Sequence, residues 1–331
     1  MNDLVIEVGI PSANNKHTIR ETLESLTKQS RKPDRIIIVD NSTDSTPEII
    51  KRISETTEVD VDIYTQSNRG NGVGGARQDI YEKFQGDILA CIDTDNKVHT
   101  DWIKEHIQFH KENPKFGILS NSDSSNEPIN DPKNSDYFGQ SNCSLKKEAL
   151  KNVNGWDRHF ARGEDWDIRI RLWSSGVKSY ATTRINEEET IGTEGKGSFI
   201  KRVKMWSKKK LSSPSSAFFL NKYGLWYLRF HPKHVIGDIL SIISIVSIVT
   251  SSLLLLSGLY LISVALITVP ILFALTYTYY KGPKKKNRWF HRSDFVAFPV
   301  FFILAISFIS SIIELIGNDY DWNYNGFNGE M

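Results

Sequence analysis

Four short runs rich in β-branched residues, at positions 5–10, 35–39, 59–64 and 88–92, alternate with segments whose apolar residues recur at helical spacing. No other feature constrains the first part of the chain as much. Parallel strands can be joined only through long crossovers, and the helices that fill those crossovers cover both faces of the sheet. Ile19, Leu23 and Leu26 share one helical face behind Thr18-Ile19-Arg20-Glu21, which has capping-box spacing. Thr46-Pro47-Glu48 supplies a second helix start ahead of Ile49, Ile50 and Ile53. A third helix is expected over 74–84, a further strand over 138–145, a surface loop over 121–135 and a helix from Glu164 that Gly176 stops. The sum is an α/β domain with a mostly parallel sheet over residues 1–195.

Open sheets of this kind bind ligands outside the carboxyl ends of their strands. Here those ends carry Pro11 and Asn14, then Asp40-Asn41, then Asp93-Thr94-Asp95. Taken singly, each aspartate is a common turn or cap residue where a strand hands over to a helix. Their joint placement points to a ligand. A strand that delivers two carboxylates one residue apart can hold Mg²⁺ or Mn²⁺ against a diphosphate, because hard oxygen ligands suit these ions and leave positions for phosphate oxygens. Asp95 is the candidate metal ligand, Asp93 suits sugar or ribose hydroxyls, and Asp40 suits a nucleobase N–H. Further along, Glu164-Asp165 suits removal of a proton from an attacking hydroxyl.

Gly70-Asn71-Gly72-Val73-Gly74-Gly75 has G-x-G-x-x-G spacing, with Asp93 downstream where a ribose-binding acid would stand. A nicotinamide-dependent oxidoreductase is the competing interpretation. The dinucleotide fingerprint follows the first strand, however, whereas this one follows the third, and a ribose needs one acid rather than two in D-x-D array. The glycines therefore suggest a flexible loop and helix N-terminus near a diphosphate, with Arg77 as a phosphate contact or a solvated helix residue.

Beyond residue 195 the composition changes. Residues 196–234 mix Trp206, Phe218, Phe219, Trp226, Tyr227 and Phe230 with many basic residues, which fits either helices lying on a membrane surface or an ordinary amphipathic linker. Residues 235–280 and 295–317 are nearly devoid of charge, enough for three membrane spans at about 235–256, 258–280 and 295–317. Lysines and arginines cluster at 201–210 and 281–292, which would hold the first 234 residues in the cytoplasm and put a short tail, 318–331, outside. The first residues lack the basic and apolar regions of a signal peptide. Cys91 and Cys143 give no disulfide framework. The expected location is the cell membrane, multi-pass, with the catalytic domain on its cytoplasmic side. The formal net charge of +2 gives no reason to expect a nucleic-acid partner.

Taken together, these motifs resemble the family 2 glycosyltransferases of the A-type (GT-A) nucleotide-sugar fold, over roughly residues 4–180. The residues that carry the likeness are Ile10-Pro11-Ser12-Ala13-Asn14, Ile38-Val39-Asp40-Asn41-Ser42-Thr43-Asp44, Gly74-Gly75-Ala76-Arg77, Asp93-Thr94-Asp95, and Gly155-Trp156-Asp157 followed by Glu164-Asp165, all in the family's order. The resemblance implies inverting transfer from a nucleotide diphosphate sugar. It implies that Pro11, Asn14, Asp40, Arg77 and Asp93 lie on the donor, Asp95 on a divalent cation, Trp156 and Asp157 on the acceptor side, and that Asp165 beside Glu164 is the base. Ala13 and Gln78 depart from the family pattern. The Q-x-x-R-W of processive synthases is missing, since Arg288-Trp289 has Lys285 at the glutamine position.

The acid pair also bears on the acceptor. An alcohol gains from a positioned carboxylate, whereas a lipid phosphate is already ionised and needs none. A hydroxyl of a polyprenyl-linked saccharide is therefore the expected acceptor, with membrane lipids as neighbours. A polyprenyl-phosphate hexose synthase, a non-catalytic membrane scaffold that retains the fold, and a part of a lipid flippase are the alternatives.

Overall fold

The computed structural model describes residues 4–67, 72–189, 216–259, 262 and 297–318, which form two compact units, one up to residue 189 and one from residue 216. The first unit begins with β1 (Ile6–Ser12), α1 (Ile19–Thr27), β2 (Arg35–Asp40), α2 (Thr46–Ser54), β3 (Val61–Thr65), α3 (Gly72–Lys83) and β4 (Ile88–Ile92). It continues through β5 (Asn96–Val98), α4 (Trp102–Glu112), β6 (Ile118–Asn121), β7 (Glu127–Ile129), β8 (Asn142–Lys146), α5 (Lys147–Asn152), α6 (Glu164–Ser174), β9 (Ser179–Thr182) and β10 (Glu187–Glu189).

Eight strands form one sheet in the order β3-β2-β1-β4-β8-β6-β9-β7, and β5 pairs with β10 outside it. Strict alternation along the central strands divides the core. Ile36 and Ile38 of β2 face Ile19, Leu23, Ile50 and Trp102 on one side. Ile37 and Val39 face Ala76, Ile80, Leu150 and Ile168 on the other. With both faces covered, β1, β2 and β4 read as nearly continuous apolar runs, as parallel strands buried on two sides must.

The expectation of a mostly parallel sheet is corrected to a mixed one. β3, β2, β1 and β4 run parallel, but β8 lies antiparallel to both β4 and β6, and β7 lies antiparallel to β9. Strand direction has no hydropathic signature. Period-two burial is the same either way, so only the connection lengths could have carried the information. β7 also occupies part of the stretch expected to be loop, as a short edge strand with Glu127 and Pro128 exposed. The strand expected over 138–145 starts later, at Asn142. The capping box does not form, since Thr18 makes no side-chain cap.

The second unit consists of helices Ser216–Tyr223, Tyr227–Phe230, Pro232–Leu256 and Ala297–Gly317, with a 3₁₀ turn at Gly224–Trp226. The rings of Phe219 and Tyr227 stack 4.9 Å apart. The Ser216 amide donates to Asp238 Oδ2 at 2.8 Å. The three expected membrane spans are not supported: no helix among the described residues is long and apolar enough to cross a membrane. Helix Pro232–Leu256 occupies the first expected span; Asp238, Ser241, Ser244, Ser247 and Ser251 along it are buried, and Ile236, Ile239, Ile243 and Val246 are exposed. Ser307, Ser310, Ser311 and Glu314 interrupt the last. The span expected at 258–280 falls almost entirely outside the described residues, as do the basic clusters at 201–210 and 281–292 and nearly all of the tail.

Candidate active site

Register aligns the carboxyl ends of three strands, with Ser12 of β1 opposite Asp40 of β2 and Asp40 opposite Thr65 of β3. Asp40 is buried there, and its carboxylate is fixed locally. Oδ2 accepts from the Ser42 amide at 3.1 Å and Oδ1 from the Ser42 hydroxyl at 2.8 Å. Asn14 adopts a left-handed conformation, φ 58°, which an asparagine tolerates where most side chains do not. That turn lets its amide donate to Ser42 Oγ at 2.7 Å and its Oδ1 accept from the Thr43 amide at 2.9 Å. Pro11 stands one residue before the β1 end, opposite Val39.

β4 delivers Asp93 and Asp95 one strand over. The Asp93 amide donates to Ser141, continuing the ladder with β8, and its Oδ1 accepts from Arg77 Nη2 at 2.9 Å. Arg77 is 4 % exposed, so it is no solvated helix residue. Its Nη1 donates to the Gln140 carbonyl at 3.2 Å and its Nε lies 3.7 Å from Glu164 Oε1. One buried guanidinium thus stands between a carboxylate of β4 and one of α6. Burial pushes Asp93 above the usual carboxylate range; Arg77 opposes this, while Asp95 and Asp165 reinforce it by repulsion. Burial likewise pushes Glu164 up to about 7, again against Arg77 and with the repulsion of Asp165. Asp165 itself is half-buried and Asp95 exposed.

These four carboxyl groups, with Arg77 between Asp93 and Glu164 and Arg169 attracting Asp165, gather negative charge at the sheet edge. Divalent cations fit such a spot. Among the described residues no cluster of three or more histidines, cysteines or acids is close enough to hold a metal unaided. A cation here would meet one or two hard oxygens, with the remaining positions left for phosphate and water, as Mg²⁺ is commonly held beside a phosphate substrate.

Trp156 and Asp157, expected on the acceptor side, are both buried in the segment that leads to α6. The Trp156 amide donates to Gln78 Oε1 at 2.6 Å and its indole Nε1 to Gln140 Oε1 at 3.2 Å. Asp157 Oδ1 accepts from the His159 amide at 2.9 Å. Gly163, φ 79°, then turns the chain into α6 so that Glu164 and Asp165 open its first turn.

Sequence reasoning missed four residues here. Ser42 orients Asp40. Gln140 joins Arg77 to Trp156. Arg158 binds Asp79 Oδ1 at 2.6 Å and Glu82 Oε1 at 2.7 Å. Gln78, marked as a departure from the family pattern, carries the Trp156 amide. A sequence signal existed only for Ser42, which directly follows the aspartate, and for Arg158, which follows Trp156-Asp157. The glycines read as a flexible loop also differ: Gly74 and Gly75 are buried inside α3.

A mixed α/β sheet with Asn14 after β1, Asp40 at the end of β2, Asp93 and Asp95 after β4, and an acidic pair opening a later helix is the arrangement of the GT-A fold. The family model described as Glycosyl transferase family 2 matches residues 7–166, just under half of the chain and within the first unit. Over 109 residues the chain is 32 % identical to the Bacillus subtilis protein TuaG, named for teichuronic acid biosynthesis, covering 33 % of this chain and 42 % of that protein. The match thus spans less than half of TuaG. It is 26 % identical to the Escherichia coli UDP-Glc:alpha-D-GlcNAc-diphosphoundecaprenol beta-1,3-glucosyltransferase WfaP, over 55 % of this chain and 75 % of that one. Among solved structures, the mannosyltransferase PcManGT of Pyrobaculum calidifontis, in complex with GDP-Man and Mn²⁺, superposes with TM-score 0.55 at 14 % identity, covering 95 % of this chain and 89 % of that one. TarS 1–349 of S. aureus, in complex with UDP, gives TM-score 0.50 at 16 % identity over 84 % and 92 %.

Proposed function

We propose that the protein transfers a sugar, with inversion, from a nucleotide diphosphate sugar to a hydroxyl of a polyprenyl-linked saccharide at the cytoplasmic face of a membrane. One observation carries this reading: Arg77 bridges Asp93 of the donor-side strand and the Glu164 that opens the acceptor-side helix, so carboxylates suited to donor and acceptor adjoin one another. Asp40 and Asn14 receive the nucleobase edge, and Asp93 a ribose or sugar hydroxyl. Asp95 would hold Mg²⁺ or Mn²⁺, which when bound supplies positive charge against the leaving diphosphate. Asp165, half-buried in the first turn of α6, takes the proton of the attacking hydroxyl. Glu164, Trp156 and Asp157 shape the acceptor side. The name of WfaP, whose acceptor is a diphosphoundecaprenol-linked sugar, supports the acceptor class.

The test is a screen of nucleotide sugars with the purified full chain, with and without Mn²⁺, against a synthetic polyprenyl-diphosphate monosaccharide and against polyprenyl monophosphate. The expected product is a disaccharide on the diphosphate lipid, with inverted anomeric configuration by NMR and loss of turnover in EDTA. Product on the monophosphate alone would overturn the acceptor assignment. Absence of nucleoside diphosphate binding by calorimetry would overturn the whole reading.

A further inference from the structure

Helix α3 begins where sequence pattern suggests a phosphate loop, yet its glycines meet protein backbone instead. A Cβ on Gly74 would lie 2.1 Å from the Phe160 carbonyl oxygen and 3.1 Å from Glu164 Cβ, and one on Gly72 would lie 2.3 Å from the Ala161 carbonyl oxygen. The Val73 amide donates to that same Ala161 carbonyl at 3.2 Å. Three and four residues on from Gly74, Arg77 reaches Glu164 at 3.7 Å and Gln78 Oε1 accepts from the Trp156 amide at 2.6 Å. Seven residues on, Tyr81 packs so closely against Gly155 that a Cβ there would lie 2.4 Å from its ring. Positions 74, 77, 78 and 81 fall on one helical face, spaced i, i+3, i+4 and i+7. Every member of that face touches the segment from Gly155 to Glu164.

We propose that this stripe of α3 is a positioning surface for the acceptor-side acids: Gly74 and Gln78 act through the 155–164 segment to set where Glu164 and Asp165 stand relative to Asp93. The proposal rests on the glycosyltransferase reading above for its catalytic consequence, but its structural content stands apart from it. Gly74 is needed for close approach. Inside a helix, alanine is otherwise the better residue, so Gly74→Ala would strengthen α3 taken alone and can do harm only by driving the Phe160 carbonyl away. Gln78 is needed as an acceptor at a fixed height, since removing that oxygen takes away the acceptor of the buried Trp156 amide.

Two measurements on the full-length chain test the assignment. In steady-state kinetics, Gly74→Ala is expected to lower kcat about a hundred-fold, the scale of a 1 Å misplacement of a catalytic group. KM for the nucleotide sugar, and Kd for the nucleoside diphosphate with Mn²⁺ by calorimetry, stay within about two-fold. Gln78→Leu should behave likewise, and Gln78→Glu, which keeps the acceptor oxygen, should recover much of kcat. A parallel loss of nucleotide affinity in Gly74→Ala would instead put the glycine at the donor phosphates and overturn the proposal. So would an unchanged kcat. Hydrogen exchange supplies the readout that needs no activity: segment 156–165 should lose protection in Gly74→Ala while β1, β2 and β4 keep theirs. Exchange unchanged throughout overturns the positioning role. Loosened exchange in a chain whose wild type turns over no nucleotide sugar would instead condemn the functional reading and leave the positioning role standing. Should Gly74→Ala fail to fold, the Gln78→Leu and Gln78→Glu pair decides by the same two readouts.

Discussion

The two sides of the site are built on opposite principles. On the donor side, Asp40 is held by Ser42 two residues away and Asn14 by its own left-handed turn against Ser42 and Thr43. On the acceptor side, Glu164 meets Arg77, whose other partners are Asp93 and Gln140, and Trp156 hangs from Gln78. The first side is a small set of exposed and half-buried hydrogen bonds between the ends of two adjacent strands, β1 and β2. The second is a buried charge cluster assembled from α3, β4, the entry to β8 and α6. A donor recurs with the same diphosphate in many enzymes and can be met by a fixed edge. An acid that must remove a proton at one point has to be placed by packing from several directions. Substitutions should therefore act sharply and at long range on the acceptor side, mildly and locally on the donor side.

The largest expected effect tests the base. Asp165→Asn should cut kcat by about 10²–10⁴-fold, the usual share of a positioned general base, while nucleoside diphosphate binding measured by calorimetry stays unchanged. Near-normal turnover would remove Asp165 from the chemistry. Arg77→Met comes next and bears on stability as well as rate. It leaves Asp93 and Glu164 facing each other without their shared cation. Breaking a fully buried pair costs about 3–5 kcal/mol, and solvent at the Asp93 carboxylate, whose side chain is 39 % exposed, brings the expected loss to about 2–3 kcal/mol, to be read from the urea midpoint of the transition. A loss below about 1 kcal/mol would mean that the cluster is solvated and the two sides are less different than they look.

Glu164 gives a pH dependence with a definite sign. Its folded value, about 7, lies above the ordinary 4.5, so folding favours the protonated form. The stability it lends is complete below the ordinary value and is lost as pH rises toward and through about 7. At about 1.4 kcal/mol per unit, the loss across that window is a few kcal/mol. Glu164→Gln should flatten the corresponding slope of unfolding free energy between about pH 4.5 and pH 7, measured by denaturant titration at several pH values. A slope that survives the substitution would place its source in Asp93, which burial lifts in the same direction.

The same contrast decides what could be seen in the sequence. Asp40, Asp93 and Asp95 announced themselves because each ends an apolar run, and the sheet edge is where such residues gather. α3 and α6 were legible from periodicity and from Gly176. The antiparallel entry of β8 was not, because inward and outward alternation does not encode direction. Gln140 and Gln78 were not, because nothing local marks a glutamine whose partner lies 16 or 78 residues away. The glycines before Arg77 were visible but ambiguous: glycine marks close approach by anything, and Gly74 and Gly72 are approached by the backbone of Phe160 and Ala161. The expected spans rested on counting apolar residues, and no helix among the described residues proves long and apolar enough to cross a membrane.

The smallest expected effect lies on the donor side and sharpens the comparison from below. Ser42→Ala removes two contacts at once, the hydroxyl that donates to Asp40 Oδ1 and the oxygen that accepts from the Asn14 amide. The Ser42 amide still donates to Asp40 Oδ2, and Asn14 Oδ1 still accepts from the Thr43 amide, so neither group is released completely. Each lost bond is worth about 1 kcal/mol, and water can replace part of that where the turn is exposed. The donor KM should therefore rise about five-fold to ten-fold with kcat and the urea midpoint nearly unchanged. If Ser42→Ala instead lowered kcat by as much as Asp165→Asn, the donor edge would itself be part of the catalytic geometry. The separation of a locally built donor side from a packed acceptor side would then fail.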